Sequence, residues 1–81
     1  MISNQIAHDK SLLGEKINKT FEEVTSLLSQ LSPDKTMYIM SDWHAFKVFW
    51  AKNADLTKVS LEETKERHQQ VIDLLEKAKQ L

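Results

Sequence analysis

Gly14 and Pro33 are the one glycine and the one proline in 81 residues. A chain so poor in both has little with which to build tight turns, which disfavours hairpins and favours long helices. Hydropathy agrees. Apolar residues recur at Ile6, Leu13, Ile17, Phe21, Val24, Leu28 and Leu31, in steps of three, four and seven. Such steps keep one stripe on one side of a 3.6-residue helix. The rung at Lys10 is polar, and Gly14 costs about 1 kcal/mol relative to alanine inside a helix. The first turns are therefore expected to fray, or to form a separate segment capped by Ser11.

Pro33 ends that helix and begins the next. The residue before a proline avoids the helical region, which stops the first helix near Leu31. Proline itself suits the first helical position, with Ser32 as N-cap and Asp34 in the positive first turn. A second helix is placed at about 33–53; a break where Ser41 or Asp42 caps a new start is the alternative. The stretch "NADLTKVS" reads as a connector. Ser60 and Glu63 then form a capping box for a third helix at about 61–80, with acidic residues at its start and lysines at its end. Its stripe is Leu61, Thr64, His68, Val71, Ile72, Leu75 and Ala78.

Three amphipathic helices with short links predict a single all-α domain over 1–81, an antiparallel three-helix bundle with a long first helix. Helix 1, at about 4–31, would be ~42 Å long and its partners ~30 Å at 1.5 Å per residue. About two turns carrying Ile2 and Ile6 would overhang, left for disorder or another chain. A domain this small buries roughly 60% of the surface its unfolded chain exposes. With no cysteine in the sequence, neither disulfides nor thiolate metal sites reinforce it.

Five of the six aromatic residues lie in "TMYIMSDWHAFKVFWAKN", residues 36–53. On a helical wheel Ile39, Trp43, Phe46 and Trp50 share a narrow arc, the expected core stripe. Tyr38, Ala45 and Phe49 lie on one flank, and Met37, Met40, Val48 and Ala51 on the other. Two neighbouring helices cover about half of such a rod, so apolar surface is left over. Met37, Tyr38, Met40, Val48 and Phe49 are the expected partner-binding residues, supported by a core of Ile39, Trp43, Phe46, Trp50 and His68. Self-association, with a dimer favoured, would cover both this face and the helix 1 overhang in one contact.

Other chemistries find little support. Three residues before His8, His44 and His68 stand Gln5, Ser41 and Lys65, so the Glu-x-x-His and His-Glu-x-x-His metal patterns are missing. His68, within an apolar stripe, reads as a half-buried histidine hydrogen-bonded in the bundle. The motifs of nucleophilic and phosphate-binding sites are absent, and a single glycine cannot build a phosphate cradle. A net charge of −1 with interleaved Lys and Glu argues against nucleic acid. The sparse polar face of "WHAFKVFWAK" makes a poor fit to a membrane surface. No secretory signal pattern opens the chain, which together with the missing cysteines suggests a cytoplasmic protein.

The expectation is a small non-enzymatic protein–protein interaction module of inhibitor, immunity-protein, adaptor or assembly-chaperone type, with no cofactor. The alternative is a ligand- or cofactor-binding bundle using His44 or His68 as its polar contact.

Overall fold

The computed structural model of the chain describes residues 2–52, 55 and 58–81, with the side chains of Ile2, Ser3, Asn4 and Lys52 excepted. Three long helices and one short one follow in order: α1 (Ile2–Gln30), α2 (Pro33–Thr36), α3 (Met40–Lys52) and α4 (Leu61–Lys79). They form an antiparallel three-helix bundle with the longest helix first, extending 50 × 18 × 15 Å. Lys10 Nζ donates to the Val59 carbonyl at 3.0 Å, which sets the start of α4 beside the third turn of α1. Along α3 the cross-links run the other way. Trp43 meets Phe21 and Trp50 meets Asn18 on α1, while Asp42 meets Lys77 and Phe49 meets Arg67 on α4. Thus α1 and α4 are parallel and α3 is antiparallel to both.

All three rods contribute to the core. Ile17 and Val24 come from α1, Ile39, Trp43 and Phe46 from α3 and the residue preceding it, and Val71, Leu74, Leu75 and Ala78 from α4. Phe21 packs against this cluster, its ring centroid 4.5 Å from Trp43 and 6.2 Å from Phe46. Leu74 is buried although it lies outside the apolar stripe read from the sequence. Helix α4 is flanked by two helices, so its buried arc is wider than one stripe, and Leu74 occupies the side toward α3. Thr64 is also buried; its hydroxyl donates to the Ser60 carbonyl at 2.9 Å, so the polar atom enters the core already satisfied.

Four local expectations are revised. First, α1 runs without interruption through Ser11 and Gly14. Gly14 is buried, on the same side as Ile17, and Lys10 fills the polar rung by reaching the Val59 carbonyl. Packing against α4 offsets the propensity cost of a glycine. Secondly, the second helix is not continuous over 33–53. It ends at Thr36 and restarts at Met40, just ahead of the start that a cap at Ser41 or Asp42 would give. The junction is a tightened turn in which Tyr38 N–H donates to the Lys35 carbonyl and Ile39 N–H to the Thr36 carbonyl. Ile39 is fully buried there, and its carbonyl accepts the first bond of α3 from Trp43 N–H at 2.9 Å.

Thirdly, Ser32 occupies the N-cap position of α2 but its side chain makes no capping bond; its carbonyl accepts from Lys35 and Thr36 N–H instead. At α4 the capping expected from Ser60 is present, its Oγ accepting from Glu63 N–H at 3.0 Å. Fourthly, residues 2–9 of α1 extend beyond the Lys10–Val59 contact in helical form, with Ile6 exposed. The connector residues Asn53, Ala54, Leu56 and Thr57, and the Ile2 side chain assigned to the overhang stripe, lie outside the described residues.

Candidate functional site

Helix α3 is the least amphipathic of the long helices, because its outward face carries apolar residues as well as its inward one. Inward, Ile39, Trp43 and Phe46 are buried. Trp50 is half-buried, packs against the core and donates its indole Nε1–H to Asn18 Oδ1 at 3.1 Å, so that an aromatic ring enters the core edge without losing its hydrogen bond. Outward, Val48 is 56% exposed and Phe49 38%, and in the turn just before α3 Met37 is 67% exposed and Tyr38 69%. Ser41, His44, Ala45 and Ala51 are exposed between and beyond them. Contiguous exposed apolar patches mark interaction surfaces on soluble proteins.

Met40 does not belong to that face. It is half-buried and packs against the core cluster. Met37, three residues earlier, lies in the turn before α3 and is exposed.

Phe49 has a second relationship that its sequence position conceals. The Arg67 guanidinium lies over its ring, Cζ 3.7 Å from the centroid, a close cation–π contact between α3 and α4. Arg67 Nε is buried with no hydrogen-bond partner among the described residues, as expected for a guanidinium laid flat on a ring. On the same side Lys77 Nζ meets Asp42 Oδ2 at 2.9 Å. Both partners of that pair are about half exposed, so it contributes little to stability and mainly sets helix register. Between these two contacts runs an open groove of about 410 Å³. Asp42, Ala45, Phe46 and Phe49 from α3 and Gln70, Asp73, Leu74 and Lys77 from α4 line it.

Arg67, Leu74 and Lys77 were not legible as parts of this site, because they meet α3 only through the antiparallel packing. Opposite-going counts from a single anchor (Asp42 with Lys77) would have put Phe49 level with the region of Gln70 and Arg67, but the anchor itself comes from the fold.

The histidines lie elsewhere. His44 is on the exposed side of α3, and His68 is half-buried on α4; neither lines the α3–α4 groove. Among the described residues no three His, Cys, Asp or Glu side chains are grouped so as to hold a metal ion. None of the helices, so far as described, is long and apolar enough to cross a membrane.

Burial, and then the positive charge of Lys16, lower the pKa of His68 from its ordinary 6.5. The folded chain thus prefers the neutral imidazole, and the unfolded chain binds the proton more readily. The stability this provides is fully present above about pH 6.5 and declines as pH falls from there through the depressed folded value. Urea unfolding should show a lower midpoint near pH 5 than near pH 7.5, and His68→Gln should flatten that part of the profile. An unchanged pH slope in the variant would assign the effect to other groups.

Comparison with known proteins adds no relative: no family model, curated protein or solved structure matches the chain. The fold defines a class, an all-helical bundle of three long helices.

Proposed function

We propose that this protein is a non-enzymatic interaction module that acts by docking the outward face of α3 against another polypeptide. One observation carries this. The inward side of α3 is already filled by Ile39, Trp43 and Phe46, yet Met37, Tyr38 and Val48 still stand more than half exposed outside it. Each such side chain left in water forgoes about 1.5–3 kcal/mol of burial, and methionine and aromatics are enriched at interface centres. Inhibitors, immunity proteins, adaptors and assembly chaperones are the functional types compatible with so small a bundle. A cytoplasmic setting fits the absence of cysteine. The ligand-binding alternative is less favoured, because the α3–α4 groove has neither His44 nor His68 in its walls.

The experiment compares immobilised wild type with Val48→Asp. Val48 is exposed, so the substitution should leave the helical circular dichroism unchanged while removing whatever polypeptide the wild type retains. Identical retention by both proteins would refute docking through this face. Phe49→Asp is the less clean probe, because Phe49 also packs under Arg67.

A further inference from the structure

We infer that the groove between α3 and α4 seats a basic amphipathic helix of the partner, with its lysines or arginines against the carboxylates of Asp73 and Glu66. The inference rests on the interaction reading above and adds the chemistry of the partner. The groove borders the outward face of α3, since Ala45 and Phe49 are exposed and also line it. The Asp42–Lys77 pair ties α3 to α4 at one end, and Arg67 laid on Phe49 ties them at the other. On α3 these ties are seven residues apart, about 10 Å or two helical turns. That is the length over which a docked helix presents anchors at i, i+3 or i+4, and i+7.

The groove fits such a rod better than a small molecule. Pockets for small ligands enclose most of their guest, whereas this one, of about 410 Å³, is open to solvent. Phe46 and Leu74 are buried at its floor, and Ala45 and Phe49 stand exposed along its α3 side. Ala45 is the smallest of the four, and the space beside it is what a partner's apolar side chain would fill.

Charge selects the sign of the partner. Glu66, Gln70 and Asp73 follow one line along α4, in steps of four and three, and all three are exposed. Asp73 Oδ1 accepts from the Gln69 amide at 2.9 Å, a neutral donor that leaves the charge uncompensated. Among the described residues neither Glu66 nor Asp73 forms an ion pair. The cations nearby are engaged elsewhere. Lys77 Nζ meets Asp42 at 2.9 Å, and the Arg67 guanidinium lies on the Phe49 ring. Lys47 lies over Trp43, on the side of α3 that faces α1. The α4 wall thus offers two uncompensated carboxylates, two turns apart, beside an apolar floor. A helix with basic residues seven apart and a large apolar residue between them complements both features, whereas an acidic helix would set like charges against each other.

Fluorescence anisotropy tests this with a fluorescein-labelled amphipathic peptide of leucine and lysine, and with the same peptide carrying glutamate for every lysine. The lysine peptide should bind with a dissociation constant on the order of 100 μM or tighter, and the glutamate peptide should not bind. Asp73→Asn combined with Glu66→Gln should weaken binding about three- to tenfold. Glu22→Gln combined with Glu23→Gln, an equal change of charge at exposed positions of α1, should leave it unchanged. Ala45→Lys, which sets a cation and its stem in the groove, should abolish binding with unchanged helical circular dichroism. Equal losses in the two double variants would mean that the peptide follows net charge alone, and would overturn the inference. Binding of both peptides or of neither, or full binding by Ala45→Lys, would also overturn it. A wild type that binds neither peptide but retains a polypeptide lost in Val48→Asp defeats the basic helix and spares the interaction reading. One that retains nothing defeats both.

Discussion

Replacing Trp43 by alanine should remove about 3–5 kcal/mol of stability, and in a chain of this size that is most of what there is. Trp43 is 4% exposed and its ring lies 4.5 Å from that of Phe21. It therefore joins α3 to α1 at a place where these two helices have few other links. At 0.05–0.15 kcal/mol per residue the whole domain is worth roughly 4–12 kcal/mol. The variant should be largely unfolded at 37 °C by circular dichroism, or show a strongly lowered urea midpoint. Val48→Ala, on the same helix but outward-facing, should shift stability by no more than about 0.5 kcal/mol. Comparable losses in the two variants would mean that α3 is not oriented as described.

Ile39→Ala should be the next most damaging, at about 2–5 kcal/mol. Ile39 is fully buried at the junction of α2 and α3, and its carbonyl starts the hydrogen bonding of α3. The side chain anchors the tightened turn to the core, and the turn in turn positions Met37 and Tyr38 outside it. Loss of the anchor should both lower the urea midpoint and loosen the turn. Faster amide exchange at Met37–Ile39 than in α4 would separate this local effect from global destabilisation. A variant with wild-type stability would show that the turn holds without its buried residue.

Much of the fold is legible in the sequence. The three-and-four spacing of Ile17, Phe21 and Val24 identifies a helix and its inner side from the chain alone, because both follow from the 100° step of the backbone. Ser60 ahead of Glu63 announces the start of α4, since its hydroxyl needs only a donor three residues away. The inward stripe of Trp43 and Phe46 could be read for the same reason, although Met40, placed outward by the wheel, packs against the core. The turn at Met37–Ile39 could not. No glycine, proline or capping side chain marks it, and its position is decided by where Ile39 reaches the core. Gly14 was misjudged as a weak point because propensity describes an isolated helix, whereas here the residue is buried within the packed bundle.

Sequence periodicity by itself thus determined that the chain is helical and that the segment containing α3 has apolar residues on two opposite sides. Those are properties of one helix and need no neighbour. Only the tertiary structure decided which of these residues remain in contact with water. It packed Met40 inward, laid Arg67 over Phe49, joined Asp42 to Lys77, and left Met37, Tyr38 and Val48 outside. Exposure depends on what lies across the gap, and the residue that lies there is distant in the chain.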